Sequence, residues 1–193
     1  EKDMQSVGAT EIISISGVTG ATASGWEFVS YQNLDAASTV DFNGFEAGYD
    51  YQIVGYALDP SADHFCRVRY SNDNGETFEG ATYYNGTIGS YANGVAHAQY
   101  MNAAYATLSD ASMGGATAGE EETIELTIFN PMDSSNHTWT AFRFMGFQVA
   151  GHVNNFLGMI QRRVDESVNG IQFYPSAGNF ATGKVYLYRR LNA

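Results

Sequence analysis

Positive charge is scarce in this chain: nine Lys and Arg face 21 Asp and Glu, a formal net charge of −12 over 193 residues. A nucleic-acid-binding domain normally presents a basic face to phosphates, so this balance argues against that class of partner. The basic residues that exist cluster weakly, at Arg67/Arg69, Arg162/Arg163 and Arg189/Arg190. They read as local salt bridging rather than as a phosphate groove. Cysteine is almost missing, with Cys66 alone, so no intrachain disulfide can form. Only three prolines occur, which excludes a polyproline linker or stalk. No run of about 18 apolar residues is available to span a bilayer as a helix. The opening EKDMQSVGAT has neither an initiator Met nor the pattern of a signal peptide, so residue 1 is not expected to be the start of translation.

What is plentiful points to a folded β protein. Hydrophobic residues make up 44% and aromatics 14%, against 16% charged, the reverse of a disordered composition. A single domain over 1–193 is expected, long enough to bury about 70% of its unfolded surface. Residues 1–10 read as an extended N-terminal arm.

Period two dominates. In Thr123-Ile124-Glu125-Leu126-Thr127-Ile128-Phe129 the even positions are aliphatic and the odd ones mostly polar, as in a half-buried strand. Cys66-Arg67-Val68-Arg69-Tyr70 alternates cleanly and puts both arginines opposite Val68. Asp50 to Leu58 is apolar on both faces, which predicts a central strand covered on both sides. Further strands are expected over Trp26–Tyr31, Thr140–Ala150, Ile171–Tyr174 and Lys184–Tyr188. Val95 to Leu108 is alanine-rich and fits a helix or a strand; the pattern leaves both open.

Turn chemistry separates these runs. Asn72-Asp73-Asn74-Gly75 predicts a hairpin turn, because Asn-Gly readily adopts positive φ. Asp41-Phe42-Asn43-Gly44, Asp59-Pro60-Ser61 and Asn169-Gly170 punctuate similarly. The small, acidic stretch 109–122 reads as a surface loop within the domain. Many short strands with Gly-rich turns predict an all-β fold, a β-sandwich of jelly-roll type.

Chemistry-bearing patterns are sparse. His64, His97, His137 and His152 lack ligand spacing, and no metal or cofactor site is expected. No GxSxG, HExxH, GxxxxGK[ST] or GxGxxG occurs. Cys66 with His64 two residues away is a conceivable nucleophile pair, but a lone Cys on an apolar strand reads as core. Asp73-Asn74-Gly75-Glu76 lacks the ligand spacing of a calcium loop. Tyrosine is the residue type that invites a contact role. Tyr83, Tyr84 and Tyr91 lie in the glycine-rich YYNGTIGSYANG, and Tyr186 and Tyr188 share one face of the closing strand. These five are the candidates for ligand or subunit contact, since exposed tyrosines stack on sugars and anchor interfaces.

Three segments then resemble one family. STVDFNGFEAGYDYQIVGYALDPSAD (Ser38 to Asp63) joins a small-polar strand, a D-Y strand and a polar turn. FCRVRYSNDNGETFEGATYYNG (Phe65 to Gly86) is a strand and turn with a following aromatic. NGIQFYPSAGNFATGKVYLYRR closes the chain with a turn leading into an LY strand, and it reads as a hairpin-like closure. Together they are similar to β-rich structural proteins of tailed phages, especially marine ones, while Asn93 to Glu122 departs from that pattern. The resemblance implies a virion surface role, as head decoration or cement protein or as a fibre component. It also implies partners among copies of the same chain, as a trimer or higher, and other virion proteins, with no catalytic motif, no nucleic acid and no membrane. Two rival readings stand beside it: a carbohydrate- or receptor-binding module using the tyrosines, and a glycan-cleaving enzyme with two carboxylates across a groove.

Overall fold

The structure is a computed structural model that describes residues 25–91, 94–109, 112–113, 115, 120–147 and 152–192. Among these residues twelve strands form: β1 (Glu27–Ala37), β2 (Val40–Asn43), β3 (Tyr49–Pro60), β4 (Cys66–Ser71), β5 (Tyr83–Tyr91), β6 (Gly94–Ala103), β7 (Ala106–Thr107), β8 (Glu122–Phe129), β9 (Thr138–Phe147), β10 (Val153–Arg162), β11 (Gly170–Pro175) and β12 (Phe180–Leu191). The described residues contain no helix, and the alanine-rich run after Val95 is strand to Ala103, then a bend at Ala104 and Tyr105 before the short β7. Val95 and Tyr100 fit a pleated surface better than alanine content alone suggests.

Two antiparallel sheets pack together. The larger has eight strands in the order β1-β12-β3-β8-β9-β10-β5-β6, the smaller four in the order β2-β11-β4-β7. The all-β, two-sheet sandwich read from the sequence is present. An eight-plus-four division lends no particular support to the jelly-roll subtype.

Strand parity follows the alternation. Ile124, Leu126 and Ile128 of β8 face inward, as do Val185 and Leu187 of β12, Cys66, Val68 and Tyr70 of β4, and Ile171 and Phe173 of β11. They join one contiguous core with Phe142, Phe144, Phe156 and Phe180. Each large apolar side chain enclosed this way stabilises the fold by roughly 1.5–3 kcal/mol relative to exposure. The sheets are also stitched by polar contacts: Tyr70 Oη of the small sheet lies 2.6 Å from Thr140 Oγ1 of the large one. Gly158 admits close packing on either side, because a Cβ there would lie 2.3 Å from the Gly86 carbonyl oxygen.

Four expectations need correction. Asn74 and Gly75 do take positive φ, 62° and 86°, yet they do not link a β-hairpin. β4 and β5 belong to different sheets, and residues 72–82 form a longer connection. The Ser71 and Asp73 side chains bond the backbone of that connection, and Gly75 sits where a Cβ would strike Asn43 at 2.3 Å. The closing segment is likewise no hairpin, for β11 and β12 lie in opposite sheets and Ser176 to Asn179 carries the chain across. β3 is central in its sheet but covered on one side only, leaving Tyr56 exposed.

Finally, 109–122 is not simply a surface loop. Ser109, Met113 and Glu122 are fully or almost fully buried, and Met113 exchanges backbone hydrogen bonds with His64. The reading of 1–10 as an arm falls outside the described residues.

Candidate functional site

The outer face of the large sheet carries exposed apolar patches where solvent-facing strands are usually polar. Its most organised part lies at the β1–β12–β3 edge. Cross-strand register puts Phe28 beside Tyr188 and Tyr31 beside Tyr186, while Tyr186 faces Val54 on β3. Side chains directly opposite on one face come within contact distance, so a ladder of aromatics is the necessary result.

The rings form a connected platform. Tyr31 and Tyr186 are offset-stacked at 6.0 Å between centroids, and Tyr56 and Tyr186 at 5.7 Å with planes 7° apart. Phe28 meets Tyr188 edge-on at 6.0 Å, and Tyr186 lies 6.4 Å from Tyr188. The Tyr56 and Tyr186 hydroxyls are 3.1 Å apart. That hydrogen bond, then burial and the neighbouring tyrosines, raise the Tyr186 pKa, so its hydroxyl keeps its proton at neutral pH. Phe28, Tyr31 and Tyr56 keep 53%, 54% and 44% of their surface exposed. Such area is costly to leave in water unless something covers it.

A polar band separates this platform from a second apolar patch. Glu125 on β8 lies opposite Arg143 on β9 in register, and the Arg143 Nε donates to Asn155 Oδ1 at 3.3 Å. Beyond them Leu157 sits opposite Ile88, with Met159 next along β10, all three exposed.

The five tyrosines expected to make contacts fare differently. Tyr186 and Tyr188 belong to the platform, brought together with Phe28, Tyr31 and Tyr56, which the sequence reading did not single out. The signal for them was present: parity places Tyr56 on the apolar outer side of β3. Tyr84 is half-buried under the Arg163 guanidinium, 4.7 Å from the ring centroid. It lines a cleft of about 230 Å³ with Trp139 and Gln161, away from the platform. The Tyr91 side chain lies outside the described residues. Tyr83 must be removed from the set, because it is fully enclosed. Its hydroxyl accepts the Tyr70 N–H at 2.7 Å and donates to the Glu79 carbonyl at 3.2 Å. Burial raises its pKa, and a ring with no accessible surface has nothing to offer a ligand.

The arginine pairs divide as well. Arg189 bridges Glu27 and Glu46, both at 3.1 Å, and Arg190 reaches Asp50 at 3.0 Å. Arg162 is buried and held by Glu79 and Glu166. Arg163 stacks on Tyr84 instead of joining that network. Arg67 and Arg69 correct the salt-bridge reading: they lie over tyrosine rings, with no carboxylate oxygen within 4.0 Å among the described residues.

Cys66 and His64 are interior. His64 Nε2 faces a Glu122 carboxylate oxygen at 3.3 Å and Nδ1 faces the Ala62 carbonyl at 3.2 Å. Burial, then nearby Glu122, pushes the Cys66 thiol well above its usual pKa. An enclosed, protonated thiol is a poor nucleophile. Among the described residues no three His, Cys, Asp or Glu side chains are grouped to hold a metal ion.

Compared with known proteins, the chain matches no family model, no curated protein and no solved structure.

Proposed function

We propose that this protein is a non-enzymatic surface component of a tailed-phage particle, a head decoration or cement protein or a fibre component. It works by binding other copies of itself and neighbouring particle proteins. The observation that carries the binding role is the outer face of the large sheet, with its five-ring platform and its separate Ile88–Leu157–Met159 patch. Aromatic anchors dominate interface energetics, and two apolar patches flanking a charged pair allow one copy's platform to meet another's aliphatic patch. The attribution to a phage particle rests on the similarity of the three segments quoted above, and the jelly-roll subtype rests on the many short strands with Gly-rich turns.

Ring geometry favours a protein contact over a sugar here. Sugars stack on free aromatic faces, whereas Tyr186 lies offset-stacked between Tyr31 and Tyr56, which partly cover its faces. Sedimentation at rising concentration tests the contact. An oligomer is expected for the wild type, and a lower association state for Tyr31→Ser combined with Tyr186→Ser. A wild type that stays monomeric at about 100 µM, some tenfold above the Kd at a modest −7 kcal/mol, would defeat the self-association reading. Mass spectrometry of purified particles tests the location, and absence of the chain from them would defeat that.

A further inference from the structure

On the opposite side of the molecule, the structure assigns an oxyanion-binding site to Arg67, Arg69 and Tyr174, suited to the carboxylate of a small sugar acid. This inference is independent of the platform on the large sheet. β4 alternation puts both arginines on the outer face of the small sheet, and register sets Tyr174 beside Arg67 and Gln172 beside Arg69. Residues i and i+2 on a strand are about 6.8 Å apart, so two cations share one small area.

Their surroundings supply donors without acceptors. Arg67 Cζ lies 4.0 Å from the Tyr105 ring centroid and Arg69 Cζ lies 5.2 Å from that of Tyr174. Ring stacking takes up the flat faces of a guanidinium and leaves its in-plane N–H groups pointing outward. Both Nε atoms are buried without a hydrogen-bond partner, and the Tyr174 hydroxyl, beside Arg67, has no acceptor for its proton. Buried donors are nearly always satisfied, so three such groups on one face of the neighbouring strands β4 and β11 call for an acceptor. A carboxylate fits a guanidinium fork through two parallel N–H···O bonds. Asp41 is the acid on the same face, and its Oδ1 is buried without a partner, but it lies two strands from Arg69 in register, about 10 Å away and beyond hydrogen-bond reach.

The ligand class follows from charge and shape. A chain of net charge −12 repels polyanions most, which favours a singly charged ligand. Next to Arg67 lies a cleft of about 280 Å³ bordered by Phe65, Tyr100, Ala103, Tyr105 and Thr107, near the lower end of small-ligand sites. Aromatic walls beside an anion fork suit one sugar ring bearing a carboxylate.

Titrating the protein with sodium glucuronate, sodium sulfate and glucose, while following the arginine Nε–H signals by ¹H–¹⁵N NMR, tests this. Saturable shifts with glucuronate are expected near a Kd of about 1 mM, as roughly a dozen ligand atoms give at ordinary ligand efficiency. Sulfate should bind more weakly and glucose not at all. Arg67→Gln should weaken glucuronate binding at least about tenfold. Tyr174→Phe, which removes only a hydroxyl, should weaken it several-fold and keeps the test usable if the arginine variant misfolds. Absent shifts, or unchanged binding in both variants, would overturn the site. Glucose as good as glucuronate would overturn the anion assignment, and sulfate as good as glucuronate would overturn the role given to the cleft.

Discussion

Arg162 and Arg163 are neighbours of one residue type, and replacing each in turn should have very different consequences. Arg162 ends β10 with its side chain fully buried, donating to Glu79, to the Glu166 carboxylate at 3.0 Å and to the Glu166 carbonyl at 3.1 Å. Burial pulls its pKa down, but Glu79 and then Glu166 more than offset this, so the cation persists. The network reaches further: the Glu79 N–H bonds the Tyr70 carbonyl, and the Tyr83 hydroxyl bridges Tyr70 and Glu79. Removing one member of a buried ion pair generally costs about 3–5 kcal/mol. In Arg162→Met the stranded partners are not deeply buried, since the side chains of Glu79 and Glu166 are 23% and 50% exposed and can hydrate. The lower bound, about 3 kcal/mol, is therefore expected, or a fall in Tm of about 6–12 °C for a chain of this size. Arg163→Ala loses an exposed cation–π contact and should cost about 1 kcal/mol or less. Urea denaturation of both variants and the wild type provides the comparison. Equal midpoints for the two variants would refute the reasoning, because they would mean that enclosure of Arg162 has no energetic weight.

Two further predictions concern protons. Burial raises the Glu122 pKa above 4.5, with His64 opposing the rise. The folded state thus binds this proton more tightly than the unfolded state, and the stabilisation is full below 4.5 and lost as pH climbs through the folded value. Glu122→Gln should gain stability relative to wild type between pH 4.5 and 7, and a constant difference across that range in thermal melts would contradict this. Asp73 behaves oppositely: the Thr77 hydroxyl, the Ser71 hydroxyl and the Thr77 N–H lower its pKa from 3.8 to about 2. Its contribution is present above 3.8 and lost as pH falls through about 2. A carboxyl ¹³C titration should place the Asp73 midpoint near 2, and a midpoint near 4 would break the link to Ser71 and Thr77.

By itself the sequence determined which way each strand's side chains point. Alternation at Ile124-Glu125-Leu126, at Arg67-Val68-Arg69 and at Val185-Tyr186-Leu187 appears unchanged in the burial of those residues. A pleated backbone enforces period two from within a few residues, so parity is local information. Asn74-Gly75 likewise announced its positive φ, a property of its own sterics. Pairing is another matter, because it depends on what lies across the gap between strands. Tertiary structure alone decided that β4 and β5, and β11 and β12, part into different sheets, which turned two expected hairpins into crossings. It decided that Tyr83 is sealed in while Tyr186 meets Tyr31 and Tyr56, partners 155 and 130 residues away in the chain. It decided that Met113, within a run of small polar residues, plugs the core beside His64. Contacts this distant leave no periodic trace, since each strand records its own two faces but not the identity of whatever will cover them.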